Sequence, residues 1–131
     1  MDQAVKLEGV DPQRIVTAGA SIGADGSIDG CAYINRQVPG TCRATLNLSP
    51  GGYLGLPYVE AVQELDGEGV PVYCLYGRDD AESAPACRQA SGGLYTAVEY
   101  AGGHGMQLLR PGNNPQPLGL LLDLLAQTAA P

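Results

Sequence analysis

Phenylalanine and tryptophan are absent from this chain of 131 residues, and histidine occurs once. A core must therefore come from Leu, Val, Ala and Tyr. Leu, Ile and Val together number 29, just above the ~20% of composition below which disorder is expected. A core can form, but a thin one. Basic residues are scarce too: 7 Lys and Arg against 14 Asp and Glu, a net charge of −7, with the seven scattered along the chain. A nucleic-acid reader carries a clustered basic face, so nucleic acid is not an expected partner. No apolar run approaches the ~20 residues that span a bilayer; the longest, residues 118–126, is interrupted by Asp123. The opening MDQAVKLEG lacks the basic-then-apolar layout of a secretory signal, so an exported protein would carry that signal outside this chain. None of the four cysteines stands in CxxC spacing, and paired metal ligands are missing. Neither a metal nor a redox dithiol is expected, and no cofactor is implied.

What the chain does have is glycine, 19 residues, and four cysteines at 31, 42, 74 and 87. Four cysteines allow three pairings. The local one, Cys31 with Cys42 and Cys74 with Cys87, is the most natural, since each bond would tie a helix region to a strand region. Each short loop closed in this way stabilises by about 3 kcal/mol in the chain-entropy account. Four buried thiols acting as small hydrophobes are the other reading. Disulfides are favoured, and with them a secreted or extracytoplasmic location.

Along the chain, residues 2–8 read as the last turns of a helix stopped by Gly9. Residues 14–19 form a short β-branched run, a buried strand. Residues 22–35 have helical length but three internal glycines, the weakest helix of the set. Residues 44–48 read as a second strand, and Pro57 opens a helix over 58–65 with apolar residues near helical spacing. A third strand spans 70–76. Ser83 is placed to cap a short helix through Ala90, a fourth strand spans 95–100, and Pro117 opens a last helix over 118–129. In that helix Asp123 and Gln127 share one face, leaving the remaining face to be buried. Strands alternating with helices predict an α/β fold: one domain over residues 1–131, with a mostly parallel sheet of about four strands and flanking helices.

Gly19-Ala20-Ser21-Ile22-Gly23 is a G-x-S-x-G sequence. In a chain so rich in glycine the pentapeptide alone is a weak signal. Its position is what counts: it follows a strand and precedes a helix, where a nucleophile elbow must sit. The bland alternative makes Ser21 a helix N-cap in a glycine-rich turn. Asp79 and Asp80 follow the third strand, and His104 follows the fourth between Gly102-Gly103 and Gly105. In a parallel sheet these strand ends open on one edge, so Ser, Asp and His can converge there across large sequence gaps.

On three stretches, DPQRIVTAGASIGAD, VPVYCLYGRDDAESAP and VEYAGGHGMQLL, the sequence resembles the α/β-hydrolase family. The likeness is to the C-terminal half of a dienelactone-hydrolase-like or esterase/lipase-like member, and covers nearly all of residues 9–126. It implies a Ser-His-Asp triad with Ser21 as nucleophile and His104 as general base. The family's G-x-x-D spacing runs from Gly77 to Asp80 and prefers Asp80 as the acid, with Asp79 as the alternative. The N–H of Ile22 would be one oxyanion donor. Serine in place of the cysteine usual in true dienelactone hydrolases points to ordinary ester chemistry on a small-molecule or lipid-like ester, with Tyr53, Leu54 and Met106 as plausible pocket liners.

The loop that supplies the family's second oxyanion donor, of HGGG type, has no counterpart in these residues. The resemblance places the nucleophile strand at the centre of a larger sheet, whereas here it becomes an edge. That edge, Ile15-Val16-Thr17, has no Lys or Pro to blunt pairing. It is expected to be covered by a homo-oligomeric partner, a complementing N-terminal fragment or swapped elements. The competing expectation is a catalytically weak or inactive hydrolase-like fragment that serves as a binding or structural unit.

Overall fold

A computed structural model describes residues 3–129. Its elements are β1 (Ile15–Ala20), α1 (Ile22–Gln37), β2 (Cys42–Leu48), α2 (Tyr58–Gly67), β3 (Val72–Gly77), α3 (Ser83–Gln89), β4 (Tyr95–Tyr100) and α4 (Pro117–Ala129). Short 3-10 helices lie at Ala4–Lys6 and Gly105–Leu109. The four strands form one sheet in the order β1-β2-β3-β4, all parallel. This is the α/β fold expected from the alternation of strands and helices.

The period-2 alternation of β3 divides the core. Val72, Cys74 and Tyr76 face one layer with Ile28 and Cys31 of α1, Val62 and Leu65 of α2, and Cys87 of α3. Leu75 points the other way, into a layer with Leu46, Leu108 and Leu124. Three helices thus cover one face, and α4 with the second 3-10 helix covers part of the other. Two disulfides join helix to strand in the first layer, Cys31–Cys42 from α1 to β2 and Cys74–Cys87 from β3 to α3. These are the local pairs anticipated from spacing. Alongside the first bond, the Asn35 side chain exchanges two hydrogen bonds with the backbone of Cys42, at 2.7 and 3.1 Å. β2 also carries buried polar residues on its helix-facing side. Asn47 donates to Ser27 Oγ and Thr45 Oγ1 and accepts from the Tyr58 hydroxyl, all within 2.9 Å. Such a satisfied network pins α1, β2 and α2 in one arrangement.

The helix expected over residues 22–35 forms despite its poor formers and runs to Gln37, because Ala24, Ile28, Cys31 and Ala32 are buried, and packing overrides weak propensity. Several expectations need correction. The first segment holds a 3-10 turn rather than the end of an α-helix, and Asp2 lies outside the described residues. Ser83 does not cap α3; the Asp80 carboxylate does, accepting the N–H groups of Ser83 at 3.1 Å and Glu82 at 3.3 Å. Nor is the remaining face of α4 buried. Among its described residues only Pro117 and Leu124 are, while Leu118 and Leu122 are more than half exposed. The helix packs on β1, β2 and the second 3-10 helix, and its apolar surface is wider than what lies beneath it. Among the described residues no helix is long and apolar enough to cross a membrane.

Candidate active site

The turn from β1 into α1 is tight. The Ser21 N–H continues the sheet ladder by donating to the Leu48 carbonyl at 2.8 Å, while the Ser21 carbonyl accepts from Ala24 at 2.8 Å and begins the helix. Serving both elements forces Ser21 to φ 56°, ψ −126°, a region costing about 1–3 kcal/mol for a residue other than glycine. The turn also brings strand and helix so close that a Cβ on Gly19 would run into the Gly23 carbonyl. Gly23 is different: a Cβ there would meet nothing within 4 Å. Only the first of the two flanking glycines therefore prevents a collision. Ser21 occupies the N-cap position of α1, but its side chain makes no capping bond to the helix.

The serine hydroxyl goes instead to His104. Nε2 of the imidazole lies 2.8 Å from Ser21 Oγ, and Nδ1 lies 2.6 Å from Asp80 Oδ2. Three side chains that leave the C-terminal ends of β1, β3 and β4 thus form one hydrogen-bonded chain across 83 residues of sequence. Asp79 does not take part; its carboxylate accepts the Gly103 N–H at 3.3 Å, one residue before the histidine. Of the two candidate acids, Asp80 is the one within reach of the imidazole. A Cβ on Gly77 would overlap the Gly103 carbonyl, so the close approach of the acid loop to the histidine loop needs glycine at that position.

Asp80 is well placed to remain ionised. Burial pushes its pKa up, but the His104 hydrogen bond and the Ser83 N–H outweigh it and hold the carboxyl below its ordinary 3.8. An ionised carboxylate only accepts, so Nδ1 must carry the imidazole proton and Nε2 is left to accept from the serine hydroxyl. That tautomer is assigned from the network. The His104 backbone is fixed independently: its N–H donates to Gln107 Oε1 at 3.0 Å, and the next N–H, of Gly105, donates to Ser49 Oγ at 2.8 Å.

Ile22 is the first residue of α1, and N–H groups in a helix's first turn have no intrahelical acceptor. Its N–H lies next to Ser21 at the positive end of the helix dipole, where it can stabilise developing negative charge. The hydroxyl and imidazole open into a cleft of about 570 Å³ also lined by Tyr53, Ala81 and Glu82. The Tyr53 ring stands edge-on to His104 with centroids 6.4 Å apart. Leu54 and Met106 are exposed and do not line the cleft. Leu54 lies over α1, with a methyl 3.9 Å from the Cβ position of Gly26.

Two residues that sequence reasoning passed over support this arrangement. Asp25, one helical turn beyond Ser21 and 2% exposed, accepts N–H groups from Gly52 at 3.1 Å and Tyr53 at 2.8 Å, with longer contacts to Gly51. It ties the helix that begins after Ser21 to the loop that presents Tyr53. Ser49 is fully buried at φ 56° and holds Gly105. The available signal was the Ser-Pro-Gly-Gly run itself, whose backbone donors need an acceptor from outside the loop.

No protein-family model, curated protein or solved structure matches this chain.

Proposed function

We propose that this chain is a serine carboxylic ester hydrolase of the α/β-hydrolase kind, acting through an acyl-enzyme intermediate. The observation that carries this reading is the continuous Ser21–His104–Asp80 hydrogen-bond chain at 2.8 and 2.6 Å, open to a cleft. A serine hydroxyl is a weak nucleophile until a base removes its proton as it attacks. Ser21 Oγ attacks the ester carbonyl carbon while His104 Nε2 takes the proton, and the carbonyl π pair moves onto oxygen. Asp80 holds the imidazole in its reactive tautomer and stabilises the imidazolium. The Ile22 N–H donates to the oxyanion. Collapse breaks the ester C–O bond, His104 returns the proton to the leaving alkoxide, and Ser21 is left acylated. Water, deprotonated by the same nitrogen, then releases the acid.

A fluorophosphonate probe tests the reading directly. Intact mass should rise by one adduct located on Ser21, and Ser21→Ala should remain unlabelled. Folded protein that takes up no probe would favour the second reading, a binding or structural unit that keeps the triad without turnover. One feature favours that alternative: Ile22 would supply one oxyanion donor, and the HGGG-type loop that gives the family its second has no counterpart in these residues. The two disulfides are compatible with an extracytoplasmic location, and we take the protein to be secreted.

The working form should also have its β1 edge covered. Among the described residues that strand pairs only with β2, and a groove of about 380 Å³ runs beside it, lined by residues that include Ile15, Val16, Ala18 and Gly23. An unpaired apolar edge is a template for another strand, supplied by a second copy or by a complementing polypeptide. Sedimentation of the isolated chain should give a dimer at micromolar concentration, or a monomer that becomes a heterodimer when the complement is present. A monomer that stays soluble and fully active alone removes this part of the proposal.

A further inference from the structure

The walls of the cleft carry mainly negative charge. Asp79, Asp80 and Glu82 line it, against one cation at its margin, Arg110, whose guanidinium lies against Gly103 and donates to the Gln107 carbonyl at 3.1 Å. Asp80 is committed to His104. Asp79 is exposed and makes a single 3.3 Å contact with a backbone N–H, so most of its acceptor capacity is free. Glu82 is exposed beside Tyr53; burial first, and then the Glu82 carboxylate, push the tyrosine hydroxyl's pKa up. Acidic side chains on a surface are common. These two share a concave site with a hydroxyl–imidazole pair and an aromatic ring, and the chain as a whole carries −7. A cleft whose lining charge is predominantly of one sign concentrates the opposite ion and repels its own.

Resting on the ester-hydrolase reading, we infer that this site selects esters bearing a cationic group and turns away anionic ones, with Asp79 and Glu82 as the specificity-determining residues. The cation would sit on the acid-loop side of Ser21, between the two carboxylates, with the Tyr53 ring as an additional weak attractor. A neutral ester of the same shape would gain nothing from that wall. An ester with a carboxylate at the same place would have to approach two like charges while losing water.

Three thioesters with the same acetylthio group and two-carbon spacer make the test: S-acetylthiocholine (cationic), its neutral isostere 3,3-dimethylbutyl thioacetate, and 3-(acetylthio)propionate (anionic). At low ionic strength kcat/KM for the cation should exceed that for the anion by about tenfold or more, with the neutral ester between them. Raising salt from about 10 mM to about 500 mM should compress the spread, because exposed charges are screened. The double variant Asp79→Asn, Glu82→Gln, normalised to its own rate on the neutral ester, should lose about fivefold of the cation preference. A ratio near one, or one indifferent to both salt and the double substitution, overturns the inference.

A binding measurement keeps this inference separate from turnover. In Ser21→Ala, choline should shift the His104 ring resonances at lower concentration than acetate does, and the double substitution should remove the difference. If no thioester is cleaved but choline still binds in this charge-dependent way, the hydrolase reading fails and the cationic specificity stands. If choline and acetate perturb His104 alike, the specificity fails whether or not the protein is an esterase.

Discussion

Replacing His104 with Ala should lower kcat for hydrolysis of a neutral ester by about 10⁴-fold or more, because Ser21 would have no base within reach. Asp80→Asn should cost on the order of 10⁴-fold through loss of the productive tautomer. Asp79→Asn, which leaves the imidazole's hydrogen bonds in place, should cost less than about tenfold. Circular dichroism and urea unfolding would establish that each variant is folded before its rate is compared. If His104→Ala retains more than about a tenth of the wild-type rate, the imidazole is not the base and the proposed mechanism is wrong.

Asp80→Asn also has a pH signature. The folded pKa of Asp80 lies below its ordinary 3.8, so this carboxylate contributes stability that is fully present above 3.8 and is lost as pH falls through the lower folded value. Acid unfolding of the wild type should therefore steepen below about pH 4, and that part of the slope should be missing in Asp80→Asn. Equal acid profiles for the two proteins would mean that the carboxylate gains nothing from its contacts in the fold.

The second large effect concerns the disulfides. Each closes a loop between residues 11 or 13 apart, and each should contribute about 3 kcal/mol. Domains of this kind hold only about 5–15 kcal/mol in total, and this one has a core without Phe or Trp. Reduction of both bonds should therefore shift the urea midpoint far downward or leave the chain largely unfolded at 37 °C. The paired substitutions Cys31→Ala with Cys42→Ala, and Cys74→Ala with Cys87→Ala, should each lower stability by about 2–4 kcal/mol. The second pair should also reduce activity more than the first. Cys87 lies on α3, whose first turn is capped by the Asp80 carboxylate, so loosening that helix loosens the residue that orients His104. A midpoint unmoved by reductant would show that burial alone holds this fold.

Much of the architecture was legible in the sequence because its cues are local. The β-branched run at residues 14–19, the prolines at 57 and 117 and the glycine stops mark elements that the structure contains, with ends shifted by a residue or two. The glycine-laden helix was legible by its length, although what holds it is not local: its buried face against β1 and β2 and its bond to Cys42. Ser83 was misread because it has the side chain of a cap, but the Asp80 carboxylate three residues earlier reached those N–H groups instead.

For the candidate site, the positions of Ser21, of Asp79 and Asp80, and of His104 after the first, third and fourth strands could be read from sequence, since a parallel sheet brings strand ends to a common edge. Sequence alone thus determined the alternation of elements, the scarcity of large apolar side chains and the residue types available for chemistry. Only the tertiary structure decided which carboxylate meets the imidazole, that Ser21 is held in a left-handed turn rather than capping its helix, and that Asp25 and Ser49 brace the loops around them. The reason is range: an element forms from neighbours three or four residues apart, whereas these hydrogen bonds join groups 24 to 83 residues apart, and their geometry exists only once the sheet has been assembled.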